Sequence, residues 1–126
     1  MKYILLMTGT QAGVDTYRAW SKKDIDAHME VLVSITRELT ASSEFVATQG
    51  LAAPNEAKVV RGMKNGVPIT DGIFPESKEF LLGYWIVDVP AFERACEIAG
   101  RISVAPGPGG KPTNMPIEIR QFASHR

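Results

Sequence analysis

An α+β fold is predicted, with the order strand, helix, strand, strand, helix, strand and a β-hairpin inserted before the third strand. Three observations carry it. Residues 3–7 (YILLM) and 81–87 (LLGYWIV) are apolar or aromatic at nearly every position, so neither strand has a face suited to water. Two other segments repeat apolar residues at helical spacing. Asn65-Gly66, flanked by extended stretches, is a two-residue turn signal. Apart from the hairpin, this is the split βαββαβ arrangement called ferredoxin-like, whose first and third long strands lie in the middle of an antiparallel sheet. Two helices cover only one face of such a sheet. The other face exposes Tyr, Leu, Trp and Ile side chains over an area that demands a cover, which predicts a homodimer packed sheet against sheet.

Taken in order, residues 2–8 form a central strand. Residues 9–17 turn to Gly, Thr, Gln and Asp without periodicity and read as a surface loop. A helix then starts, with Ser21 as N-cap, Asp24 three residues on, and Trp20 stapled against Ile25. Its inward stripe is Ile25, Met29, Leu32, Ile35 or Thr36, and Leu39, and it runs to about Thr40. Residues 45–51 form the second strand, interrupted by Pro54-Asn55. Residues 58–64 then pair with 67–70 across Asn65-Gly66, and Pro68, lacking an N–H, confines the return strand to an edge. Asp71-Gly72 is a turn, and Glu76, Lys78 and Glu79 a solvated connector, before strand 81–88. Pro90 sits in the first turn of the second helix, whose buried stripe is Phe92, Ala95, Cys96, Ala99 and Ile102. Residues 105–114 are a loop by composition, and Ile117, Ile119 and Phe122 belong to a closing strand.

The 126 residues, 44% hydrophobic, suit one domain spanning the whole chain. Basic and acidic residues number 14 each, so electrostatic steering toward nucleic acid or an anionic membrane is not expected. The first apolar run is too short for a signal peptide or a membrane span, which reads as cytoplasmic. A lone cysteine excludes an internal disulfide, and His28 and His125 do not form a ligand pair, so no metal is expected. Gly107, Gly109, Gly110 and Lys111 resemble a phosphate loop only superficially. Ala105 stands where that motif needs glycine and Pro112 where it needs Ser or Thr, so no nucleotide or other cofactor is expected.

Residues 71–85, DGIFPESKEFLLGYW, resemble the signature of the DGPF-type proteins of the YCII-related family, roughly DGPFxETKExLxGF. Asp71, Gly72, Phe74, Glu76, Lys78, Glu79, Leu81 and Gly83 match, Ser77 and Tyr84 are close substitutions, and Ile73 replaces the proline. The resemblance extends along the chain. It implies a ferredoxin-like protomer in a dimeric α/β barrel, in agreement with the unpaired sheet face. It also implies an acid–base site made by a histidine on the first helix and an aspartate. Relatives with this barrel act on lactones and similar small acids, and some DGPF-type proteins are linked to sigma-factor-like regulators. Fold resemblance alone fixes no reaction.

The counterpart of the family histidine is His28, in DAHMEVL, beside the helix stripe and facing the boundary between helix and sheet. Histidine exchanges protons near neutrality, which suits a proton carrier in isomerisation, elimination or hydrolysis, and equally suits a hydrogen-bonded residue at the core edge. Asp71 is the candidate support for that histidine, or simply shapes its own turn. Phe74 and Tyr84 are expected to line a pocket or fill the core, and Glu76 and Lys78 to bond across the motif or remain solvated. Two readings follow: a homodimer binding a small organic molecule with His28 and Asp71 as an acid–base pair, or a non-catalytic dimeric binding or regulatory module linked to a sigma-factor-like partner. The first requires both side chains to converge on one partly apolar cavity.

Overall fold

The two runs without polar alternation are the two inner strands of a four-stranded antiparallel sheet. In the computed structural model, which describes residues 1–71 and 79–124, β1 (Lys2–Gly9) pairs with β5 (Phe80–Asp88), β2 (Phe45–Gly50) flanks β5, and β6 (Ile117–Gln121) flanks β1. The order β2-β5-β1-β6 is the ferredoxin-like one. The hairpin strands β3 (Val59–Lys64) and β4 (Val67–Asp71) form a separate two-stranded sheet. The α-helices among the described residues are α1 (Gln11–Arg18), α2 (Lys22–Ala41) and α3 (Phe92–Ser103).

Register decides which side chains face the helices. Tyr3 stands opposite Val87 and Leu5 opposite Trp85, and all four are buried with Ile35 and Leu39 of α2 and Ile98 and Ile102 of α3. The alternate pairs, Ile4 with Ile86 and Leu6 with Tyr84, therefore lie on the opposite face, where they are only partly covered. Polar residues border them: Glu118 stands opposite Leu6, Arg120 opposite Ile4, and Gln49 opposite Tyr84. Gly83 sits where β2 and β5 pass closely, since a Cβ there would come within 2.7 Å of the Met7 methyl and 3.0 Å of the Gln49 carbonyl.

α2 begins as its sequence requires, with Ser21 Oγ accepting from the Asp24 N–H at 3.1 Å. Its inward face differs by one position from the expected stripe: His28 is buried in line with Ile35 and Leu39, while Met29 is exposed. Residues 9–17 are a larger departure, because most of this stretch is α1 rather than loop. Thr10 caps it by accepting from the Gly13 N–H, and Gln11 bonds Asp15 one turn on. Its Gly, Asp and Thr residues are poor helix formers, so composition hid it.

In α3, Ala95, Ile98, Ala99 and Ile102 are buried, but Cys96 and Phe92 are exposed, against expectation. The buried stripe drifts round the helix at 3.6 residues per turn and selects Ile98 in place of Cys96. Pro90 lies before the helix, whose N-cap is Ala91. α3 runs back along the C-terminal part of α2, tied by a bidentate Arg94–Glu44 pair (2.7 and 2.8 Å) and by Arg101 to Glu38. The Arg94 guanidinium holds the Glu44 carboxyl down to about 2.

The hairpin turns at Asn65 (φ 52°) and Gly66 (φ 76°), both left-handed as a type I′ turn demands. A bulge at Arg61 and Gly62 kinks β3, and every residue of β3 and β4 is exposed. Among the described residues no helix is long and apolar enough to cross a membrane.

Candidate functional site

Where α3 ends, the helix layer opens. A cavity of about 720 Å³ lies between the sheet and the two preceding helices. Met7, Thr48, Leu82 and Trp85 form its sheet side, Val14, Tyr17 and Arg18 come from α1, and His28, Leu32 and Thr36 from α2. Thr113 and Met115, from the segment leading to β6, also reach it. The walls are mostly apolar, with a few hydroxyls, the Gln49 amide, the Arg18 guanidinium and one imidazole, the usual make-up of a small-molecule site.

His28 is fixed on three sides. Its Nδ1 lies 3.0 Å from the Pro106 carbonyl oxygen. Since a carbonyl only accepts, Nδ1 carries the hydrogen, and in the neutral ring Nε2 then presents a lone pair. The ring meets Tyr17 edge-on at 6.0 Å and Trp20 at 5.5 Å. Nε2 has no hydrogen-bond partner among the described residues, and His28 is on the cavity lining. The chemistry available is that of a neutral base with its tautomer held by the backbone.

The carbonyl is delivered by the glycine-rich loop. Gly107 lets the loop fold closely on its own returning arm beside Trp20, because a Cβ there would lie 3.1 Å from the Thr113 methyl and 3.4 Å from the Trp20 ring. Gly107 and Lys111 close the loop by a 2.6 Å backbone bond. The loop that imitates a phosphate motif thus serves the imidazole.

The other sequence candidates are placed differently. Asp71 ends β4, exposed, with its carboxylate 3.9 Å from the Arg61 guanidinium, and it is not on the cavity lining. Among the described residues no hydrogen bond or ion pair joins it to His28. Tyr84 lies on the sheet face opposite the helices and neither lines the cavity nor joins the buried core. Phe74, Glu76 and Lys78 fall outside the described residues. Sequence reasoning missed Tyr17, Arg18 and Pro106. The first two lie on the helix read as a loop, and the third acts through a backbone atom that no side-chain pattern announces.

The fold and the cavity together define a ferredoxin-like α+β domain with a histidine-bearing apolar pocket between sheet and helices. The YCII-related domain model matches residues 1–107, and the chain belongs to that family. It is also similar to an uncharacterised protein of Rhizobium meliloti (strain 1021), 26% identical over 108 residues, which are 86% of this chain and 83% of the relative. The match to the family model stops before β6, the edge strand that completes the sheet beside β1.

Proposed function

We propose that the cavity binds a small organic molecule and that His28 Nε2 takes a proton from it and returns it elsewhere. The observation that carries this reading is the imidazole whose Nδ1–H is held by the Pro106 carbonyl, while Nε2 has no partner among the described residues, on a cavity of about 720 Å³. On accepting a proton, Nε2 makes the ring an imidazolium, and the Pro106 carbonyl faces the N–H that shares its charge. Pro106 therefore takes the supporting role that the sequence offered to Asp71. In this reading the Asp71 carboxylate belongs to the hairpin and its pairing with Arg61.

The working unit in this reading is a homodimer. Ile4, Leu6, Tyr84 and Ile86 make an apolar centre with a polar border on the sheet face opposite the described helices. An isolated two-stranded hairpin is marginal in water, and Val60, Met63 and Val67 are each at least 60% exposed on this one. A second copy packed on the sheet face supplies the missing cover, as in a dimeric α/β barrel. The same surfaces keep alive the second reading, a non-catalytic module in which the hairpin engages a regulatory partner.

Ligands found by thermal shift among lactones, keto acids and haloacids are to be incubated with the protein in D2O and followed by proton NMR. Wild type is expected to exchange an acidic C–H of a bound ligand, and His28→Ala to bind that ligand but lose the exchange by a factor of about 100 or more. Equal exchange in both proteins removes His28 from the chemistry. Binding with no exchange in either favours the non-catalytic module.

A further inference from the structure

We infer that the ligand of this cavity is an organic monoanion, a carboxylate on an apolar or aromatic body, with Arg18 at the mouth holding the charge. This rests on the small-molecule reading of the cavity and adds the ligand's class. Among the described residues, Arg18 is the one side chain on the lining that is fully charged at neutral pH, and no Asp, Glu or Lys joins it. No carboxylate among the described residues lies within 4.0 Å of its guanidinium.

Position sharpens the inference. Arg18 is exposed in the last turn of α1, one residue beyond Tyr17, whose ring packs against Trp20 and His28. A cation thus stands at the rim of an aromatic and thioether-lined interior. A carboxylate can meet the planar guanidinium in bidentate fashion at the rim, where it keeps part of its hydration, while its hydrocarbon enters beside Met7, Leu32 and Trp85. Deeper in, an anion would lose its water and face the Nε2 lone pair, so the charge belongs at the mouth and a C–H or O–H belongs at His28. A cationic ligand is repelled by Arg18, a neutral one gains nothing from it, and a dianion has one charge more than the described lining matches.

The test is calorimetric titration of wild type and Arg18→Gln with paired aryl and alkyl carboxylic acids and their primary amides, at low and at high salt. In wild type the acids are expected to bind about tenfold more tightly than the amides at low salt, with the gap narrowing as salt screens the exposed pair. Arg18→Gln should bind the amides unchanged and lose the preference for acids. Amides that match acids in both proteins overturn the inferred charge and leave the cavity reading standing, Arg18 then serving only the C-terminal end of α1. A series in which nothing binds wild type overturns both.

Discussion

The two halves of α2 meet very different surroundings. Toward its C-terminus, Ile35 and Leu39 join Val87, Val89, Ile98 and Ile102, none more than 2% exposed. Around the mouth of the cavity, Met29, Val33 near the helix middle and neighbouring Leu51 are each at least 44% exposed. Helix length makes the difference. The 12 residues of α3 span about 18 Å, whereas the 20 of α2 span about 30 Å, so α3 cannot cover its partner from end to end. The remaining stretch is met by α1, which has no buried residue, and by the loop that brings Pro106 to His28. One end of the layer is therefore built for stability, and the other leaves room for a ligand.

Core truncation should break this contrast most visibly. Ile98→Ala is expected to cost about 2–5 kcal/mol by denaturant unfolding, because close-packed neighbours cannot collapse into the space. Leu32→Ala, on the cavity wall, should cost less than about half as much, since it enlarges a space that is already open. Equal costs would mean that the open end is packed in solution.

The Arg94–Glu44 pair, which ties α3 to the end of α2, sharpens the contrast through pH. The folded-state carboxyl of Glu44 is held down to about 2, below its ordinary value of 4.5. Its contribution is thus complete above about pH 4.5 and disappears as pH falls toward 2. Side-chain exposures of 13% for Glu44 and 32% for Arg94 leave some solvent screening, so the contribution is about 1–2 kcal/mol. Glu44→Gln should lose that amount at pH 7 and flatten the acid limb of the stability curve. An unaltered acid limb would show that the pair is not maintained in solution.

The hairpin should give the smallest effect on the protomer's own stability. Met63→Ala and Val67→Ala are expected to change it by no more than about 0.5 kcal/mol, since both side chains are exposed. Sedimentation of the doubly substituted protein reads the other consequence: a weaker dimer if the hairpin meets a second copy, and an unchanged one if only the sheet face does.

Much of this architecture is legible in particular residues. Ser21 announces the start of α2, Asn65-Gly66 the hairpin, and the unbroken apolar runs the two inner strands, because each signal is local or reflects burial on both faces. His28 is legible as a candidate for the same reason, being a titratable residue adjoining an apolar stripe. Its support is not legible. Pro106 lies 78 residues away and acts through its carbonyl, and the Tyr17–Trp20 pair depends on a short helix whose composition resembles a loop. Cys96 illustrates the limit of spacing arguments: a shift of two positions on α3 separates an exposed thiol from a buried isoleucine.

The amino-acid order by itself determined the inner strands, the capped second helix, the type I′ turn and the family, since these follow from propensity and pattern along a continuous stretch. Tertiary structure alone decided that α1 is a helix, that α3 stops short, and that a distant backbone carbonyl sets the tautomer of His28. Those outcomes depend on which surfaces meet in space, and a cavity is defined by where two elements fail to meet.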